Sequence, residues 1–121
     1  MKYLCLVMID EKKLEALSSG EWQSLDDESL AYNDTLRKGG HFIAAQALQL
    51  SRVAATVHVQ RGKVSVTDGP FAETKEQVGG FILIEARDLN EATQLASKIP
   101  VARFGAIEVR PIKELTRSAG K

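Results

Sequence analysis

One cysteine in 121 residues leaves the chain without an internal disulfide. Its fold has to be held by buried apolar surface, and a lone thiol suits a reducing compartment, so the expected location is the cytoplasm. Three prolines, with 44% hydrophobic and 26% charged residues, give the balance of a globular domain and exclude a disordered or fibrous chain. Net charge is also missing: 16 basic residues stand against 16 acidic ones. Without a bulk positive field, neither nucleic acid nor an anionic membrane is an expected partner. No long hydrophobic run is present. The stretch Leu4-Cys5-Leu6-Val7-Met8-Ile9 is too short to span a bilayer, and it meets Asp10-Glu11-Lys12-Lys13 with no small-residue cleavage site, so it reads as a buried strand. Inside that strand Cys5 behaves as a small hydrophobe with a raised pKa.

What is there is a sequence of clear α+β elements in one domain over residues 1–115, with a polar tail over 116–121. A helix is predicted from about Leu25 to Lys38, with N-cap candidates Ser24, Asp26 and Asp27, basic residues Arg37 and Lys38 in the last turn, and Gly39-Gly40 as the stop. Trp22, Leu25, Tyr32 and Leu36 share one face, which Ser29 interrupts. A strand follows from His41 to Leu48. Val57 and Val59 then alternate on one arm of a hairpin and Val64 and Val66 on the other, around Arg61-Gly62. Phe81-Ile82-Leu83-Ile84 reads as a strand buried on both faces. Asp88 and Glu91 open a second helix with its stripe on Leu89, Ala92, Leu95, Ala96 and Ile99, which Pro100 stops. The last strand runs from Ala106 to Ile112, with Pro111 at its end or at a sheet edge.

Without the hairpin, the order is β-α-β twice, the ferredoxin-like split βαβ plan. Two helices cover one face of such a sheet, yet the strands at Leu4–Ile9 and Phe81–Ile84 are apolar on both faces. The uncovered face calls for a homodimer packed face to face.

The most distinctive run is Val66-Thr67-Asp68-Gly69-Pro70-Phe71-Ala72-Glu73-Thr74-Lys75-Glu76-Gln77-Val78-Gly79-Gly80. It places an acid at a strand end, a Gly69-Pro70 turn that fixes the backbone, and then Glu73, Lys75 and Glu76 before a buried strand. Loops held on a rigid sheet are where polar site residues collect, although Asp68-Gly69 also serves simply as a good turn and the charges as a solvated crossover. Arg103 before the last strand offers a fork that clamps a carboxylate substrate or forms an ion pair at a dimer surface. No Cys-x-x-Cys or His-Glu-x-x-His spacing is present and no phosphate-cradling glycine loop, so neither a metal nor a cofactor is expected.

The run from Thr67 to Phe81, followed by Leu83-Ile84-Glu85-Ala86-Arg87-Asp88-Leu89-Asn90-Glu91-Ala92, Lys98-Ile99-Pro100, Ala102-Arg103-Phe104-Gly105 and Glu108-Val109-Arg110-Pro111-Ile112, resembles the DGPF-motif branch of the YCII-related family. The likeness extends from the first strand to Ile112, with the Asp68–Phe71 tetrad and Gly79-Gly80 as its structural motif. The resemblance implies a bacterial protein with a ferredoxin-like fold that dimerises as a dimeric α/β barrel. Members of this branch are mostly uncharacterised, and some are associated with extracytoplasmic-function sigma factors. The wider superfamily includes isomerases, monooxygenases and a dehydrochlorinase.

In the YCII-like relatives a histidine on the first helix and an aspartate in the sheet region form a proposed acid/base pair. Here Asp68 matches that aspartate, Ser29 falls where the relatives carry the histidine, and the helix has none. His41, at an element end, is the stronger of the two histidines as a proton partner, because His58 alternates with Val57 and Val59 toward solvent. Two functions therefore stand side by side. One is a small-molecule acid/base enzyme, isomerase- or lyase-like, with a pocket between sheet and helices. There Asp68 and His41 are the catalytic candidates, and Tyr32, Ser29, Phe71, Glu73, Lys75 and Arg103 the ligand-binding ones. The other is a non-catalytic ligand-binding or regulatory module, with a metabolite or a sigma factor as partner.

Overall fold

In the first strand, β1 (Lys2–Asp10), Tyr3, Cys5, Val7 and Ile9 are buried while Leu4, Leu6 and Met8 between them are half-buried, because alternate side chains of a strand point to opposite faces. The computed structural model describes residues 1–118; of the tail expected over 116–121, residues 119–121 lie outside the described part. Asp10 ends β1 and caps a short helix, α1 (Glu11–Glu15), by accepting the Lys12 amide. The long helix α2 (Ser19–Lys38) begins earlier than the Leu25 expected from sequence. The reason is a capping box: Ser18 accepts from the Glu21 amide at 3.1 Å and Glu21 accepts from the Ser18 amide at 2.9 Å. Those bonds hold the Glu21 carboxyl below its ordinary pKa.

The remaining elements are β2 (Phe42–Ala47), a 3₁₀ turn (Ser51–Val53), β3 (Ala55–Gln60), β4 (Lys63–Asp68), β5 (Glu76–Glu85), α3 (Leu89–Ala96), a second 3₁₀ turn (Pro100–Phe104) and β6 (Gly105–Pro111). Arg61 and Gly62 both take positive φ, 52° and 76°, the two-residue turn that matches the twist of a hairpin. Pro111 ends the edge strand β6, where a missing amide donor costs no ladder bond.

Four strands form an antiparallel sheet in the order β2-β5-β1-β6, and β3 with β4 forms a separate two-stranded ribbon. This is the ferredoxin-like α+β arrangement, with α2 and α3 on one face. Register decides which residues enter the core beneath them. Cys5 lies between Ile82 and Val109, Tyr3 opposite Ile84, and Val7 opposite Ile107. Leu25 and Leu36 of α2 and Ala92 and Ala96 of α3 close over them. The opposite face carries Leu4, Leu6 and Met8 beside Phe81 and Leu83, flanked by Gln46 on β2 and by Glu108 and Arg110 on β6. No element among the described residues covers it.

Cys5 is fully buried, and burial pushes its thiol up to about 11. At pH 8 the native protein is therefore expected to give no labelling with a disulfide reagent over minutes, and one thiol per chain after denaturation. Rapid native labelling would place Cys5 outside the core.

The strands also define two ends of the sheet. β1 and β2 run toward the Asp10 end, and β5 and β6 begin there. The start of α2, both 3₁₀ turns and the base of the hairpin gather at that same end.

Candidate functional site

Asp10 is the one buried charged residue among those described, 6% exposed at the end of an apolar strand. Its Oδ1 accepts the Lys12 amide at 3.1 Å, and its Oδ2 lies 3.9 Å from Nζ of Lys75, whose side chain is otherwise in solvent. Burying a polar group is costly unless partners replace its water, and here a backbone amide and a lysine stand in that place. The neighbouring Glu11 accepts from both the amide and the hydroxyl of Ser51, which ties α1 to the turn that leads into the hairpin.

The Asp68-Gly69-Pro70-Phe71 turn is pinned at the hairpin's base. Gly69 donates its amide to the Ala54 carbonyl at 2.7 Å, and its carbonyl accepts from Thr56 Oγ1 at 2.8 Å. Its φ of +94° lies where a side chain is strained, which explains glycine there. Pro70 is half-buried, the Asp68 carboxylate and Glu73 are exposed, and the Phe71 ring stands in solvent 5.9 Å from that of His58. Past the turn the crossover is ordered by its own side chains: Gln77 Nε2 donates to the Ala72 carbonyl at 2.7 Å and to that of Thr74 at 3.1 Å. Gly79 is the extra residue where the β1–β5 register shifts. A Cβ on Gly80 would lie 2.7 Å from the Gln46 carbonyl oxygen, so the paired glycines are strand-pairing devices.

An open groove of about 470 Å³ lies at the same end of the sheet, lined by Ser18, Glu21 and Ser24 of α2 against Arg103 and Phe104. Arg103 does not reach into it as a free fork. Its two terminal nitrogens donate to the two Glu28 oxygens, each at 3.1 Å, which joins the second 3₁₀ turn to α2. The sequence left open a carboxylate clamp and an ion pair at a dimer surface for Arg103; the contact seen is an ion pair within the chain.

Between the sheet and its two helices, where a pocket was expected, the side chains beneath Tyr32 are closely packed. Tyr32, Leu36, Leu95 and Ile99 close onto Cys5, Ile82 and Ile84 and leave no room for a water molecule. Tyr32 donates its hydroxyl to the Leu95 carbonyl at 2.6 Å, fastening α2 to α3, and burial, with a smaller contribution from Cys5, raises its pKa. Ser29 is half-buried in mid-α2. His41 stands at the other end of the sheet, with Nδ1 2.9 Å from the Glu85 carbonyl oxygen. From Glu76 to Glu85 along β5 is roughly 30 Å of strand, so one chain does not bring His41 and Asp68 together.

The structure thus brings Lys75 to Asp10 and Ser51 to Glu11, sets the Asp68 turn at the hairpin's base with Glu73 exposed beyond it, and leaves Ser29, Tyr32 and His41 elsewhere. Asp10 escaped the sequence reading because an acid after an apolar run looks like an ordinary strand end. The signal was its position, immediately before a helix start. No group of three or more metal-ligating side chains gathers among the described residues, and none of the described helices is long and apolar enough to cross a membrane.

Fold and site together define a ferredoxin-like α+β domain with a polar, turn-built end. The chain matches the model of the YCII-related domain over residues 1–116 and belongs to that family. It is 35% identical over 114 residues, covering 93% of this chain and 92% of the relative, to the uncharacterized protein R00369 of Rhizobium meliloti (strain 1021). Among solved structures it is similar to 5-chloro-2-hydroxyhydroquinone dehydrochlorinase (TftG) from Burkholderia phenoliruptrix AC1100 in complex with 2,5-dihydroxybenzoquinone. That likeness has 18% sequence identity and a TM-score of 0.48, over 93% of this chain and 94% of that one.

Proposed function

We propose that this YCII-related domain binds a small polar molecule at the Asp10 end of its sheet and acts on it by proton transfer. The supporting observation is the buried Asp10 carboxylate with Lys75 beside it, on the crossover that follows the pinned Asp68 turn. In this reading Lys75 anchors an anionic group, Asp10 positions Lys75, and the exposed Asp68 carboxylate exchanges the proton. A carboxylate on a rigid turn keeps its orientation, which is what general acid–base catalysis requires. The working unit is a homodimer closed over the bare sheet face of Leu4, Leu6, Met8, Phe81 and Leu83, located in the cytoplasm.

The test is a ligand-observed NMR screen of small carboxylic acids and phenols, with turnover followed for each binder. Lys75→Met is expected to weaken binding about tenfold or more through loss of a charge-assisted contact. Asp68→Asn is expected to keep binding and lose roughly 100-fold or more in turnover. Binders that respond to neither change would put the site elsewhere.

A second reading, a non-catalytic ligand-binding or regulatory module with a sigma factor as one partner, is favoured by one observation: His41 is engaged at the Glu85 carbonyl, and among the described residues no histidine hydrogen-bonds to Asp68. Binding that depends on Lys75 but gives no turnover with any compound would select it.

A further inference from the structure

We infer that the β3–β4 hairpin is an arm whose valine face packs on a second copy of this chain. Every residue of both strands except Thr56 is exposed. Val57 pairs with Val66 and Val59 with Val64, so all four side chains stand on one face, and each is 61–68% exposed. An isolated two-stranded ribbon is marginal in water, and a ladder of four solvated valines gives it no apolar support. The exposed apolar surface is concentrated here: Leu48, Val53 and Phe71 at the arm's base and Val78 beside the bare sheet face are exposed as well. Val78 pairs with Met8, so the apolar surface continues from the sheet face toward the arm.

The occupant follows from area. This inference rests on the proposed homodimer, whose bare face carries large apolar side chains only along β1 and β5, because the flanking strands add just Ala44 and Ala106 beside the polar Gln46, Glu108 and Arg110. Two strands about 4.8 Å apart and about 24 Å long give roughly 240 Å² of apolar ground plan, against about 800 Å² per partner in a stable interface. Even doubled for side-chain relief, that strip falls short, and the valine ladder supplies a second strip of similar width. In a twofold assembly each arm serves the other copy, so the contribution counts twice. With 16 charges of each sign, no net repulsion opposes the approach. The arm's base carries Asp68 and Gly69, so docking would also fix the turn of the proposed site.

The experiment is sedimentation of the full chain over a concentration series. One variant changes all four valines to threonine, which keeps the β-branched shape, and a second, Leu6→Lys, acts on the sheet face alone. The valine-to-threonine variant is expected to weaken the dimer at least 100-fold. If it dimerises like the parent while Leu6→Lys is monomeric, the arm is overturned and the sheet-face dimer stands. If it dissociates and Leu6→Lys does not, the arm stands and the sheet-face reading falls. A parent chain monomeric at 100 µM would overturn both, as a concentration about a hundredfold above a micromolar dissociation constant. Amide exchange of the unaltered chain gives a readout independent of the variants. Protection across β3 and β4 is expected to fall on dilution below the dimer constant, and protection that ignores dilution would overturn the arm.

Discussion

Gly105→Ala is expected to destabilise the protein by at least about 3 kcal/mol, lowering the melting temperature by on the order of 10 °C. A Cβ at this position would sit 3.0 Å from Cα of Ile9 and 2.8 Å from the Met8 carbonyl carbon, and would overlap the Met8 carbonyl oxygen. All of these are backbone atoms of the central strand. A side chain can rotate away from a new methyl group, but strand backbone moves only by opening the β1–β6 pairing, in which Gly105 lies opposite Ile9. The damage would extend to the Asp10 end, because the 3₁₀ turn that carries Arg103 enters β6 through this residue. Gly20→Ala is the control. Gly20 lies in the first turns of α2, where the nearest heavy atom to an added Cβ is 4.0 Å away, so replacement there should be neutral or stabilise by a few tenths of a kcal/mol. Urea midpoints of both variants, compared at one protein concentration, check the pair. A Gly105→Ala midpoint within about 0.5 kcal/mol of the parent would mean that β6 does not approach β1 as described.

Ile84→Ala is expected to cost about 3–4 kcal/mol. Ile84 is 1% exposed and sits between Tyr3 and Phe42 in the register, under the side chains of Tyr32 and Leu95. The cost has two parts: the apolar surface no longer buried, and a cavity that a sheet pinned on both sides of β5 cannot collapse to fill. A smaller truncation on the hairpin, Val57→Ala, would remove an exposed methyl pair from a single chain and should change the monomer's stability by no more than about 0.5 kcal/mol. Chemical denaturation at a dilute, fixed concentration separates these outcomes, since a dimer adds a concentration-dependent term. An Ile84→Ala loss below about 1 kcal/mol would argue that the space under α2 and α3 is not closely packed, and would reopen it as a place for a ligand.

The sequence by itself determined the kinds and order of the main elements. Apolar alternation and β-branched residues marked β1, β5 and the hairpin. Arg61-Gly62 marked the hairpin turn, and Asp88 with Pro100 bracketed α3, where Asp88 accepts the Glu91 amide as expected while Glu91 reaches the Arg87 amide instead of completing the box. These signals are local, carried by neighbouring residues along the chain. The start of α2 was also local, but the Ser18–Glu21 box lay among polar residues outside the apolar stripe and was passed over.

What only the tertiary structure decided was who meets whom across the sheet. Asp68 and His41 are both chemically suited to proton transfer, yet β5 separates them along its whole length, because strand direction assigns them to opposite ends. Asp10 and Lys75 are far apart in sequence and lie 3.9 Å apart in space, because β1 ends where β5 begins. The hairpin shows the same division. Its alternation of valines was legible, but alternation states only that one face is apolar. Which surface that face meets depends on the path of the chain, and among the described residues nothing lies against it.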